Sequence, residues 1–316
     1  MGSLLVTGAS GFVGRPACLA LRERGFYVRA FARTPCEWPM GIQCFTASAL
    51  SELNRSSPAL KGVECILHLA GRAHFMQETE ADSLSVFRSV NVSETLKLAH
   101  EASLAGVRRF VFVSSIKVNG ERTPPLVPFT EKDKVNPVDP YGISKHEAEL
   151  GLLEVSAETG MEVVIVRPPL IYGPGAKGNF RAMMKLLERG VPLPLALITD
   201  NRRSLLALDN LVDFLALCVS HPDAAGRIFL LSDQDDVSTA SLLRRLAEAM
   251  GLTARLFPVP RLLLRGAASL AGKHSAYQRL CGSLVVDSSA ASQLLGWAPS
   301  LALDEGLRRA AKDFVA

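Results

Sequence analysis

The sequence predicts an α/β protein, a doubly wound parallel sheet joined to a smaller, mostly helical C-terminal lobe. Three observations predict it. The chain opens on a short apolar run, Leu4-Leu5-Val6, that breaks into glycines at 8, 11 and 14 and then takes up a helical pattern through Leu21. Strand-like and helix-like stretches alternate through the first half of the chain. The polar residues with chemical potential follow the ends of the strand-like runs, where ligands of such sheets bind.

Taken in order, the first run reads as a buried parallel strand, too short for a helix and too continuous for a half-exposed strand. Gly8 permits the turn, Gly11 lets a pyrophosphate approach the backbone, and Gly14 lets the helix pack on the strand. The helix N-terminus then offers N–H donors and partial positive charge. The same glycines would also serve an ordinary turn between strand and helix. A second strand at Tyr27–Ala32, where a βαβ unit needs it, favours the dinucleotide site. A loop at Thr34–Gly41 leads to a third strand, Ile42–Thr46, and a helix or loop runs on to Lys61. A fourth strand spans Cys65–Gly71, a helix runs from about Phe87 to Gly106, and a fifth strand is Arg109–Ser114.

Prolines 124, 125, 128, 137 and 140 mark residues 121–140 as a loop over the site. A helix follows from Tyr141 through Leu153, then a sixth strand at Glu162–Arg167 stopped by Pro168-Pro169. Beyond the Tyr172–Gly178 loop, a helix is expected near Phe180–Arg189, a mostly helical stretch at Leu205–Val219 and a returning strand at Arg227–Leu231. Residues 232–316 read as mostly helical with a short strand at Leu284–Val286. This divides the chain into a dinucleotide-binding domain (residues 1–167 with 205–231) and a second lobe (168–204 with 232–316).

Composition narrows the function. A net charge of +4 without a long basic run gives no indication of nucleic acid, though it suits a phosphorylated substrate. Six cysteines without a CxxC pair, and histidines without HExxH, read as buried free thiols in a reducing compartment and give no metal site. No signal-peptide layout opens the chain, and Met1-Gly2 lacks the Ser or Thr at position 6 that myristoylation wants. No stretch reaches transmembrane length: Leu211–Val219 carries Asp213, and Leu256–Ala271 carries Arg261, Arg265 and two prolines. The latter reads as a core helix, with contact to a membrane surface as its alternative. A cytoplasmic protein is expected.

Tyr141 and Lys145 stand four residues apart, on one face of a helix. A nearby ammonium favours the phenolate and lowers the tyrosine pKa. Such a tyrosine can give a proton to a ketone or take one from an alcohol while a nicotinamide carries the hydride. Ser115, just past the fifth strand, is placed to hydrogen-bond the same oxygen. Singly, Tyr141 could cap a loop, Lys145 lie in solvent and Ser115 end a strand; the combination with the glycine loop points to chemistry.

These residues carry a resemblance. Thr7-Gly8-Ala9-Ser10-Gly11-Phe12-Val13-Gly14, His68-Leu69-Ala70-Gly71, Asn91-Val92, Val113-Ser114-Ser115 with Gly120, Tyr141-Gly142-Ile143-Ser144-Lys145 and Arg167-Pro168-Pro169-Leu170-Ile171-Tyr172-Gly173-Pro174 make up most of it. Arg203-Ser204 with Asp209-Asn210, and Leu295-Gly296-Trp297-Ala298-Pro299, complete it. Over essentially its whole length the chain resembles the extended short-chain dehydrogenases/reductases, Rossmann-fold epimerases, dehydratases and reductases of nucleotide sugars. The resemblance implies Ser115, Tyr141 and Lys145 as the catalytic trio. It implies a dinucleotide held by Gly8, Ser10, Gly11, Phe12, Val13, Gly14, Arg33, Leu69, Ala70, Gly71 and Pro168 together with Tyr141 and Lys145. Substrate would be held by Ser115, Tyr141, Asn179 and Arg203, with no metal, in a homodimer packed through Rossmann-domain helices.

Three departures refine the expectation. Ala32-Arg33 stands where an acidic residue would bind the ribose of NAD, which favours NADP(H) and leaves NAD(H) possible. Ile116-Lys117 replaces the Asp-Glu pair of the dehydratases, arguing against elimination. Ala47-Ser48-Ala49 lacks the aspartate that contacts adenine. The expected activity is NADPH-dependent reduction of the 4-keto group of a UDP-4-keto-6-deoxy-N-acetylhexosamine, in bacterial surface-polysaccharide (O-antigen) synthesis. The alternative is a UDP-hexose or UDP-GlcNAc 4-epimerase with tightly bound NAD. A non-catalytic NADP-binding regulator is the remote one.

Overall fold

The computed structural model describes residues 2–73, 80–124 and 127–315. The chain order of its strands is β1 (Ser3–Thr7), β2 (Tyr27–Ala32), β3 (Ile42–Thr46), β4 (Cys65–His68), β5 (Arg109–Val113), β6 (Glu162–Arg167), β7 (Leu170–Tyr172), β8 (Leu205–Ala207) and β9 (Ile228–Leu230). Seven of them form one parallel sheet in the order β3-β2-β1-β4-β5-β6-β9, and β7 pairs with β8 in a small second sheet. Leu4 lies between Val28 of β2 and Cys65 of β4. The strand order reverses beside β1, and that reversal opens the crevice in which sheets of this kind bind ligands.

The helices are α1 (Gly14–Glu23), α2 (Glu80–Phe87), α3 (Glu94–Leu104), α4 (Pro140–Thr159), α5 (Gly178–Glu188), α6 (Leu208–Ser220), α7 (Thr239–Ala249), α8 (Arg261–Leu270), α9 (His274–Cys281), α10 (Ser289–Leu295) and α11 (Leu303–Val315). Alternate residues of a strand point to opposite faces, so Leu4 and Val6 pack with Leu21, Leu211, Phe214 and Trp297, whereas Leu5 packs with Leu98, Phe110, Leu152 and Val155 on the other side. A third apolar cluster, around Phe180, Met184, Leu242, Leu246 and Leu307, belongs to the later helices. The Rossmann-type α/β architecture expected from the sequence is present.

Several boundaries differ from expectation for identifiable reasons. Helix α4 runs to Thr159 rather than Leu153 because Val155 still packs in the core and left-handed Gly160, at φ 74°, stops it. It starts one residue earlier because Pro140 suits a first turn and Asp139 caps it, accepting from Gly142 N at 2.6 Å. The expected helix at 87–106 is α2, a π turn at Arg88–Ser93 and α3 in succession. The β7–β8 pair, three residues per strand, escaped the sequence reading, and Leu205–Ala207 is strand rather than helix. Leu284–Val286 forms only isolated bridges, Leu284 to Arg203 and Val286 to Phe129. Leu256–Ala271 is no core helix: no residue of α8 is buried. Pro125, in the loop read over the site, lies outside the described residues.

Candidate active site

The glycine loop follows β1 directly. Gly8 sits at φ +66°, and a Cβ there would stand 2.7 Å from Ala70 N; a Cβ on Gly14 would come 2.1 Å from Gly8 O. Only glycine fits either place. Gly11 N donates to Gly8 O at 2.9 Å, and a Cβ on Gly11 would meet nothing else within 4 Å. Helix α1 begins beside that open cradle with no side-chain cap and no acidic residue in its first turn, so no carboxylate of its own competes for an anion there. The residues present fit a dinucleotide diphosphate. Ser10 and Gly11 are exposed at the rim, while Phe12 and Val13 turn partly into the core. Arg33 is exposed just beyond β2.

Across the cradle, Leu69, Ala70 and Gly71 leave β4 as a loop. Thr7 Oγ1 accepts from Ala70 N at 3.3 Å and lies 2.8 Å from His68 Nδ1, whose Nε2 lies 3.0 Å from Thr95 Oγ1. Burial first, and the Lys145 charge second, push His68 down to about 3, so it stays neutral. It ties the end of β1 to the loop after β4.

The expected trio meets beyond β5. Ser115 opens a single helical turn, its Oγ accepting from Lys117 N at 3.3 Å. Ile116 N donates to the carbonyl of buried Pro168 at 3.0 Å, joining this turn to the end of β6. Tyr141 stands in the first turn of α4, near enough for the Ser115 hydroxyl to favour its charged form, and one turn on Lys145 Nζ donates to Val113 O at 2.9 Å. Lys145 is buried, 4.4 Å above the Phe112 ring, and desolvation lowers it to about 8 while the Glu149 charge acts the other way.

One expectation is corrected here. Tyr141 is not lowered: burial, then the Asp139 carboxylate, push it up to about 12, with the Ser115 hydrogen bond opposing them. Lys117 Nζ stands 5.9 Å from the Tyr141 ring centroid and pairs with Asp139 and Glu121. Lys145 is engaged with the backbone carbonyl of β5 instead.

Beneath the trio lies a network that the sequence reading gave no role. Glu149, four residues after Lys145, holds Arg167 by two bonds, 2.9 and 2.5 Å, and Arg167 reaches Asn119 Oδ1 at 2.9 Å. All three are buried. Asn119 in turn donates to Thr130 O at 3.0 Å, so α4, the end of β6 and the 121–140 loop are pinned together. Asn91, in the π turn, donates to Ser144 Oγ at 3.0 Å and both accepts from and donates to the Arg72 backbone. The four-residue step from Lys145 to Glu149 is a signal the sequence held; the reach to Arg167 and Asn119 is tertiary.

Arg203 stands just before β8, its Nη1 donating to Gly282 O at 3.2 Å. Burial and the neighbouring Arg279 guanidinium push it below the ordinary arginine value, Glu121 opposing. Two neighbouring guanidiniums suit an anion. Arg279 and Asn119 line a cleft of about 520 Å³. Asn179 is exposed in the first turn of α5. Among the described residues no group of three or more His, Cys, Asp or Glu side chains is placed to hold a metal.

Residues 4–231 match the NAD dependent epimerase/dehydratase family. The chain belongs to that family. Among its relatives, this family member is 41% identical over 314 residues to a UDP-glucose 4-epimerase of Vibrio cholerae, covering 99% of this chain and 95% of that one. Among solved structures, MoeE5 in complex with UDP-glucuronic acid and NAD superimposes with a TM-score of 0.79 at 25% identity, covering 98% of each chain. A UDP-glucose 4-epimerase of Thermotoga maritima with UDP-glucose, at 22% identity, shows the same fold with a TM-score of 0.79 over 99% of this chain and 98% of that one. The chain is an enzyme of the nucleotide-sugar epimerase/dehydratase type.

Proposed function

We propose that the protein is a UDP-hexose 4-epimerase that keeps NAD bound through the reaction. The observation that carries this reading is the 41% identity, over nearly the whole chain, with the Vibrio cholerae epimerase. The bound dinucleotide supplies the acceptance and return of a hydride at C4 of the sugar. Tyr141 takes the proton of the C4 hydroxyl and later returns it, and Ser115 holds the same oxygen. A phenol near 12 needs added positive charge to act as a base at neutral pH, and Lys145 and Lys117 are the cations at hand. Lys145, at about 8, is charged at neutral pH. Arg203 and Arg279 receive the substrate diphosphate, and Asn179 assists at its rim.

This replaces the reductase expected first. That reading keeps one supporting observation, Arg33 at the end of β2 in place of a carboxylate, which suits the 2′-phosphate of NADP. Incubation with UDP-glucose, followed by NMR of the sugar and absorbance of the nicotinamide, separates the two. The epimerase gives UDP-galactose with no net redox change. Consumption of NADPH only on addition of a UDP-4-keto-6-deoxy-hexosamine would overturn it. Arg33→Ala is expected to weaken NAD binding less than threefold, roughly the effect of losing an exposed surface contact; a large selective loss of NADPH affinity would restore the reductase.

Exposed Leu150 and Leu153 on α4 support a homodimer through that helix. The separate apolar cluster of the later helices supports the two-lobe division proposed from the sequence. All six cysteines are free, which supports work in a reducing compartment such as the cytoplasm.

A further inference from the structure

The stretch from residue 249 to 286 contains no Asp or Glu, yet holds Arg255, Arg261, Arg265, Lys273 and Arg279. In the middle of it stands α8, which packs on the second lobe through partly buried Leu264 and buries no residue fully. Its outer side is apolar: Leu262 is 81% exposed, Leu263 65% and Leu270 93%. Leu263 and Leu270 are two turns apart, on one stripe, with exposed Ala267 between them. Arg261 is tied to Asp200, but Arg265 and Lys273 form no ion pair among the described residues. An outward apolar stripe flanked by free cations, in a stretch cleared of carboxylates, has the chemistry of a helix lying in a bilayer interface.

We propose that α8 and the turn to α9 dock reversibly on an anionic lipid surface. Leu262, Leu263 and Leu270 enter the boundary of headgroups and acyl chains, and Arg265 and Lys273 meet the lipid phosphates. Charge complementarity favours this occupant. A second copy of the chain on the same patch would set Arg265 and Lys273 against their own symmetry mates, since a two-fold contact pairs a surface with itself. No described helix is long and apolar enough to cross a membrane, so the contact is with the surface.

Flotation of the full-length protein with vesicles tests this, using phosphatidylcholine alone and phosphatidylcholine mixed with phosphatidylglycerol. The protein is expected to float with the mixed vesicles and to release as salt is raised. Leu263→Ser with Leu270→Ser should lower the bound fraction, and Arg265→Ser with Lys273→Ser should weaken binding on the order of tenfold. Unfolding midpoints within a few degrees of the parent show that the variants fold, because these side chains bury little. No flotation with the mixed vesicles, or flotation unchanged in both double variants, overturns the proposal. So does light scattering in which the leucine variant falls from dimer to monomer, since the stripe would then be a subunit interface.

Discussion

The ends of β1, β4, β5 and β6 and the outer face of α8 treat polar and apolar groups in opposite ways. At the strand ends, Thr7, His68, Lys145, Glu149 and Arg167 are buried, and each has partners that cross between elements. On α8 and the turn after it, leucines lie in solvent and two cations, Arg265 and Lys273, stand unpaired among the described residues. The first arrangement fixes geometry at the cost of desolvating charge, and it belongs to a site that must hold reacting atoms still. The second carries little of the fold, and its composition is free to answer to something outside the chain.

The largest effect expected from probing this contrast is at the buried pair. Glu149→Gln leaves the Arg167 guanidinium without its countercharge and should destabilise the fold by about 3 kcal/mol, read by denaturant unfolding. It should also move the high-pH limb of turnover downward, because Glu149 opposes the lowering of Lys145. A loss below about 1 kcal/mol would place the pair on the scale of a surface ion pair.

A smaller, pH-dependent effect is expected at His68. Its folded value near 3 lies below the ordinary 6.5, so the unfolded chain binds the proton first and stability falls as pH drops from about 6.5 towards 3. His68→Gln should flatten that part of the stability profile; an unchanged slope would mean other groups set it. The smallest effect belongs to α8. Leu263→Ser in the absence of lipid should change stability by no more than about 0.5 kcal/mol, against several for a leucine of the β-sheet core.

The contrast also explains what the sequence could tell. Glycines 8 and 14 are legible because no other residue tolerates a Cβ closer than three ångströms to backbone, so the loop prints itself on the chain. The Tyr141–Lys145 step is legible because a helix converts four residues into one face. The raised phenol was not, since it depends on burial and on Asp139, which also caps α4. Nor was the grouping of Arg279 with Arg203, residues 76 positions apart that only tertiary packing brings together. The stretch at 256–271 misled for a plain reason: an apolar helical pattern says that one face is apolar, not what covers it.

The account rests on Tyr141 as the group that moves the C4 proton, and Tyr141→Phe tests it most directly when turnover and dinucleotide binding are measured on the same preparation. The phenyl ring keeps the packing against Phe87 and the fold of α4. Interconversion of UDP-glucose and UDP-galactose should fall by about a thousandfold while the dinucleotide still binds. Turnover within a few-fold of the parent would contradict the assignment and with it the proposed chemistry of the site.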